Sequence, residues 1–262
     1  MNLLQRALIE KAGHDNGFEN VLPSSADGWL ILGSARHATT VSVQAIAQGF
    51  DARLLSSPPS LPAELSRSFP SGSNATVSEA TAYRAADVAA LARWLRRAAA
   101  LAQALPNQAM AGFVADVEAA LASLEPAAAK NTEVQRMVRQ RVGQQAFRQA
   151  MLDYWQGACA VTGLAVPQAL RASHAKAWAL CTHDAERLDV FNGFLLSANL
   201  DALFDSYLAS FTDHGTLLIA PSVPPVAREQ LGLTAGLQLR WVAPQHQPYL
   251  AFHRAQCQLL SW

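Results

Sequence analysis

Between Arg171 and Asp205 the chain reads RASHAKAWALCTHDAERLDVFNGFLLSANLDALFD, and four side chains there have the types needed to hydrolyse a phosphodiester: His174, Asn192, Asp201 and Asp205. Such hydrolysis needs a base for water, a cation facing the charge that develops on phosphate, and a frame that aligns the two. His174 is the base candidate, because a neutral imidazole accepts a proton near physiological pH. Asp201 and Asp205 stand four apart on an expected helix, so both carboxylates project from one face, where like charges cost about 0.2–0.5 kcal/mol unless something neutralises them. Their hard oxygens suit Mg2+ or Mn2+ better than zinc. Asn192 precedes a glycine and fits a loop whose side-chain amide bonds backbone and steadies the strand that carries the base. Taken singly, these are a packing histidine, a turn asparagine and a solvated helix face. Their joint order and spacing carry the reading.

The elements around them follow from periodicity. Arg171–Ser173 reads as the end of a strand. After Gly193, Phe194-Leu195-Leu196 is a short apolar strand, and Asn199 is the expected N-cap of a helix over 200–208. Upstream, Thr132 with Gln135 can cap a basic helix reaching about Val142. A second helix is expected over 143–155, with Phe147, Met151, Leu152 and Trp155 available for packing. Cys159–Gly163 reads as a short strand and turn. A hairpin with a glycine turn is expected over 209–219, and further strands over 237–242 and 249–252.

The amino-terminal half differs in character. A helix is expected over Leu3–Ala12, stopped by Gly13, followed by strands at 29–32, 39–47 and 52–55. The stretch 56–74 is dense in Pro, Ser and Gly and reads as a surface loop. Alanine- and leucine-rich helices are expected over 85–104 and 110–124. The pattern predicts an α+β chain with an N-terminal α+β module at 1–125 and a C-terminal domain at 126–262, divided near Glu125-Pro126.

Composition bounds the partners. Half of the 262 residues are apolar, enough for a substantial core, and 20 basic residues balance 20 acidic ones. A polycation that coats nucleic acid is therefore excluded. Between Lys130 and Arg148, however, five basic residues face only Glu133, and local clustering can supply phosphate contacts. Three widely spaced cysteines and no Cys-x-x-Cys pair argue against a disulfide framework, and no structural zinc is expected. The first residues lack the apolar run of a signal peptide, and no run has the length of a membrane span, so a cytoplasmic protein without a membrane partner is expected.

Five motifs in order resemble the HNH endonucleases, and most closely the bacterial restriction-type HNH proteins. They are R-x-G-Q-x-x-F-R at Arg141–Arg148, C-A-V-T-G at Cys159–Gly163, S-H-x-K-x-W at Ser173–Trp178, R-L-D-x-x-N-G-x-L-L at Arg187–Leu196 and L-D-x-L-F-D at Leu200–Asp205. The resemblance covers about residues 131–220. It implies a ββα-metal unit in which His174 is the general base, Asn192 orients the loop, and Asp201 is the helical metal ligand, with Asp205 a second ligand used in some members. It also makes Ser173 a ligand position, where many members carry a stronger donor and where water would supplement the hydroxyl. Asp201 replaces the family's third histidine, which suits Mg2+ or Mn2+. After L-F-D many members read R-G, whereas this chain has Ser206-Tyr207, one phosphate-binding arginine fewer. Phosphate contacts are expected from Arg139, Arg141, Arg148, Lys176 and Arg187. Trp178 is expected to pack in the core of the unit, and Cys159 to be a buried small hydrophobe.

The implied activity is a metal-dependent endonuclease acting on double-stranded DNA in restriction or phage defence, with dependence on DNA modification as one form of it. Double-strand cleavage by one site per chain favours a homodimer. Two alternatives stand beside it: a catalytically inactive HNH-like DNA-binding or regulatory protein, and a nuclease acting on RNA. Residues 1–125 carry nine basic against eleven acidic residues, which makes unspecific DNA binding by this half unattractive. A reader of a DNA feature is expected there, with Phe18, Trp29 and Tyr83 as candidates for a pocket holding a flipped base. A dimerisation or ligand-sensing module is the competing expectation.

Overall fold

A computed structural model of the chain describes residues 1–23, 28–69, 82–106, 108–234 and 236–259. Helices and strands are mixed, and the chain separates into two compact units, Met1–Gln108 and Ala109–Trp262. The division falls earlier than the expected 125/126.

The first unit runs α1 (Leu3–His14), β1 (Asn20–Leu22), β2 (Leu30–Gly33), β3 (Thr40–Ile46), β4 (Gly49–Ser56), α2 (Leu61–Ser68), β5 (Ala82–Ala85) and α3 (Val88–Ala104). Its strands form one antiparallel meander, each paired with its chain neighbour. Along β4 the pleat sends Phe50, Ala52 and Leu54 into the core, while Asp51 and Arg53 alternate with them. The helix α2 lies within the stretch expected to be loop. Its Pro62 occupies the first turn, where a missing N–H costs nothing, and Leu61 and Leu65 are buried, so apolar spacing outweighs the Pro/Ser content. Residues 70–74 of that stretch lie outside the described residues.

The three aromatic candidates of this unit are engaged by different partners. Phe18 is a core residue in edge contact with His37, Tyr83 stacks parallel to Trp94, and the Arg53 guanidinium lies over Trp29. Among the described residues no ring contact joins the three.

The second unit continues with α4 (Gln108–Ala122), α5 (Pro126–Ala129), α6 (Thr132–Tyr154), β6 (Leu170–His174), α7 (Asp184–Arg187), β7 (Gly193–Ser197), α8 (Ala198–Asp205), β8 (Ala209–Phe211), β9 (Leu217–Ile219), α9 (Pro225–Gln230) and α10 (Gln247–Leu259). Asn131, not Thr132, caps α6, accepting from the backbone N–H groups of Glu133 and Val134 at 2.9 and 3.2 Å. The helix does not stop at Gly143. That glycine is buried mid-helix, and a Cβ there would stand 2.3 Å from the indole of Trp178, so its job is to admit a ring rather than to end a turn.

Strands β6 and β7 pair antiparallel from Leu170↔Ser197 to His174↔Gly193, and α8 follows β7 without a loop and packs back on β6. Ser197 holds the N-cap position of α8, and Asn199 lies one residue inside the helix. Its amide reaches the Leu231 carbonyl at 2.8 Å, a bond that fixes α8 against the segment after α9. The β8–β9 hairpin forms as expected around Gly215. Three other expectations are corrected. Cys159–Gly163 forms a turn rather than a strand, tied to β7 by the Ala160 N–H donating to the Leu195 carbonyl at 2.6 Å. From 237–242 there is a single bridge, Thr216↔Gln238. Residues 249–252 belong to α10, whose buried Leu250, His253 and Cys257 recur at helical spacing.

Candidate catalytic site

His174 closes β6, and three elements fix its ring. Phe147 of α6 stacks face to face on it with centroids 3.7 Å apart, and Trp178 meets it edge-on. Its Nε2 lies 2.9 Å from the backbone carbonyl of Arg187. A carbonyl only accepts, so Nε2 carries the proton and the lone pair is on Nδ1. Burial pushes the imidazole down to about 4, against the opposing pull of that carbonyl, so the ring is neutral at physiological pH. A neutral imidazole with a defined free nitrogen is the form a general base requires.

The motif R-x-G-Q-x-x-F-R now has a physical account. Gly143 makes room for Trp178, Phe147 stacks on His174, and Arg148 donates to the carbonyls of Leu170 and Pro167 at 2.9 and 3.0 Å. All three act on β6 or its loop. At the other end of the strand pair, a Cβ on Gly193 would meet the Ser173 carbonyl oxygen at 2.1 Å, so only glycine lets β7 approach β6 this closely.

Asn192 is fully buried, and its amide staples the loop between the strands. Its Oδ1 accepts from the Lys176 N–H at 2.8 Å; its Nδ2 donates to the carbonyls of Glu186 and Lys176 at 3.0 and 3.2 Å. Its backbone carbonyl also accepts from the Ala175 N–H. An unpaired buried amide costs about 1–3 kcal/mol, so this set of bonds strongly fixes the loop conformation.

Ser173 is buried and donates its hydroxyl to Asp201 Oδ1, which joins β6 to the first turn of α8. Asp205 stands one turn on, exposed at the end of the helix. Among the described residues no three His, Cys, Asp or Glu side chains gather as a metal-binding group. The donors present are hydroxyl and carboxylate oxygens. That set fits an ion such as Mg2+, which is held by one or two carboxylates and keeps several waters, and does not fit a closed zinc cage.

The basic candidates divide. Lys176 Nζ pairs with Glu186 at 2.6 Å in a largely buried contact. Arg187 spends its guanidinium on the Asp184 carboxylate and the carbonyls of Trp178 and Cys181. It does not pair with Asp189. Arg139 reaches the same Asp184 at 2.6 Å. Burial works to raise the Asp184 and Glu186 carboxyls, but their basic partners outweigh it and hold both below their usual values. Arg141 is exposed, and of the five it alone makes no side-chain hydrogen bond or ion pair among the described residues.

Two arrangements escaped the sequence reading. Asp189 is a half-buried carboxylate: its Oδ1 accepts from the Phe191 N–H and its Oδ2 from the Tyr249 hydroxyl, both at 2.9 Å, and desolvation raises its pKa. Its place three residues before Asn-Gly, as in an Asx turn, was the available signal. Tyr207, at the position where a glycine was expected from the resemblance, holds φ 58, in the left-handed region that costs a bulky residue about 1–3 kcal/mol. Cys159 is buried as expected, its sulfur accepting from the N–H groups of Thr162 and Ser197.

Residues 159–212 match the family model of the HNH endonucleases, so the C-terminal part of the chain carries an HNH endonuclease domain. No curated protein matches the chain. No described helix is long and apolar enough to cross a membrane.

Proposed function

We propose that a chain carrying an HNH endonuclease domain at residues 159–212 is a DNA endonuclease dependent on Mg2+ or Mn2+, with β6, β7 and α8 as its ββα-metal unit. The observation that carries this reading is the state of His174: Nε2 is tied to the Arg187 carbonyl, and Nδ1 is left unprotonated, with its lone pair free, on the strand that also presents Ser173 to Asp201. Water gives a proton to Nδ1, the hydroxide formed attacks phosphorus, and the bond to the leaving sugar oxygen breaks. Asn192 keeps the loop closed so that the ring does not turn away. Asp201, Ser173 and Asp205 would hold the divalent ion, which when bound supplies charge stabilisation to the phosphate.

Arg141 and Arg139 are the side chains best available to phosphates, since Arg139 shares Asp184 with Arg187 and can exchange one partner for another. Lys176, Arg148 and Arg187 are assigned to holding the loop and strand, through Glu186, the Leu170 and Pro167 carbonyls, and Asp184 respectively. Restriction or phage defence is the setting such a nuclease suits, with residues 1–125 choosing the target and a homodimer cutting both strands.

The test is plasmid nicking with Mg2+ against chelator, for the parent chain and His174→Ala. Nicking that needs the ion and vanishes with the substitution is expected. A His174→Ala protein that nicks as well as its parent removes the assignment of the base. If neither nicks and the chain still binds duplex DNA, it is an inactive HNH-like DNA-binding protein.

A further inference from the structure

Helix α10 lies outside the matched residues 159–212, yet it reaches both halves of the catalytic unit. Tyr249 and His253 are four apart and so share one face. Tyr249 donates its hydroxyl to Asp189 Oδ2 at 2.9 Å. Asp189 in turn fixes the loop twice, through Oδ1 to the Phe191 N–H and through its own carbonyl to the Asn192 N–H. That loop contains the Arg187 carbonyl on which His174 Nε2 rests. One turn along, His253 Nε2 donates to the Phe204 carbonyl at 3.0 Å, three residues after Asp201, and its ring stacks on Phe204 with centroids 3.8 Å apart. Its Nδ1 accepts from the buried Ser210 hydroxyl at 2.9 Å, which fixes the tautomer. Between the two, Phe252 offers its ring to the Lys176 ammonium.

We infer that α10 is a positioning clamp for the nuclease unit, in which Tyr249 holds the base-bearing loop through Asp189 and His253 holds the carboxylate-bearing helix through Phe204. The inference rests on the reading of His174 as base. Its chemical sense is that the Arg187 carbonyl selects the His174 tautomer, and a carbonyl on an unanchored loop would select it poorly. A half-buried carboxylate that receives a donor from outside its own loop through Tyr249 loses one of its anchors when that hydroxyl goes.

The experiment uses the full chain with Tyr249→Phe, Asp189→Asn and the pair together. Plasmid nicking gives kcat and KM, and long-range 1H–15N NMR of the imidazoles gives the tautomer of His174. Tyr249→Phe is expected to lower kcat about tenfold or more with KM within about twofold, because misplacing a reacting group by about 1 Å can cost two orders of magnitude. His174 is expected to pass from one Nε2–H form to a mixture. The double variant should be no worse than Asp189→Asn, since both changes cut one path. Unchanged kcat and an unchanged tautomer in Tyr249→Phe overturn the clamp, while His174→Ala, run alongside, reports separately on the base. Should the parent not nick at all, the tautomer alone decides: a mixed ring supports the clamp and an unaltered one ends it.

Discussion

Phe147 lies flat against His174, ring centroids 3.7 Å apart and 16° from parallel, so the ring proposed as base is packed by a residue of α6. The stack excludes water from one face of the imidazole and contributes to the burial that keeps the ring neutral. Phe147→Ala is expected to destabilise the chain by about 3–5 kcal/mol, the usual cost of emptying a buried aromatic site. Phe147→Leu should cost less and still slow nicking, because it fills space without a flat surface. Thermal unfolding beside nicking rates checks both; a leucine variant with parental activity would remove the orienting role of the stack.

A pH prediction follows from two buried histidines. His174 and His253 are each pushed down to about 4 in the folded chain, mainly by burial, against 6.5 for the ordinary side chain. The unfolded chain therefore binds more protons between these values. Stability is fully present above pH 6.5, falls as the pH drops from 6.5 towards 4, and levels off below. Each histidine is expected to account for on the order of 3 kcal/mol over that window. Denaturant titrations at pH 7.5, 5.5 and 4.5 measure the slope, and His253→Gln should flatten it; a stability that does not change across this range would contradict both shifts.

Asp201 and Asp205 are expected to differ despite sharing a helix face. Asp201 is locked to Ser173, whereas Asp205 is exposed at the last residue of α8. Asp201→Asn should weaken Mn2+ binding by about 10–100-fold and Asp205→Asn by less, since a pre-oriented ligand loses more than a mobile one. Calorimetric titration with Mn2+ checks the order, and the reverse order would move the ion towards the helix end.

Arg148 and Arg141 separate a structural cation from a phosphate-facing one. Arg148→Met leaves two carbonyls without their donor, and a loss of about 1–3 kcal/mol of stability is expected, with little change in the salt dependence of DNA binding. Arg141→Met should leave stability within about 0.5 kcal/mol and lower the slope of log K against log salt by about one. Equal salt slopes for Arg141→Met and the parent would remove it from the DNA contact.

Gly143→Ala places a methyl group against Trp178, and overpacking of this kind costs about 1–3 kcal/mol. Because Trp178 also meets His174 edge-on, a fall in nicking is expected beyond what stability explains. Parental activity in a Gly143→Ala chain would show that the tryptophan moves without disturbing the base.

These residues also show what the sequence could and could not reveal. Some of the motifs were legible as tertiary neighbours: Phe147 meets His174, and Ser173 meets Asp201, although each pair is far apart in the chain. The glycine at 143 misled, because a gap for a distant indole looks the same in sequence as a helix stop. The run Tyr249–Phe252 misled in the other direction. Its aromatic content resembles a strand, while the helical repeat Leu250, His253, Cys257 becomes visible only in a longer window. The fate of the basic side chains was not legible, since carbonyl partners such as Leu170 and Pro167 leave no trace in residue type.

Asn192-Gly193 is a pair prone to chemical ageing, because an asparagine before glycine readily closes on the next backbone nitrogen and loses ammonia. Closure needs the side chain to swing free, and here the amide is held by the Lys176 N–H and by the carbonyls of Lys176 and Glu186 inside a sealed loop. The same bonds that hold the loop thus preserve the asparagine, and damage at this dipeptide should accumulate only in molecules that have already opened.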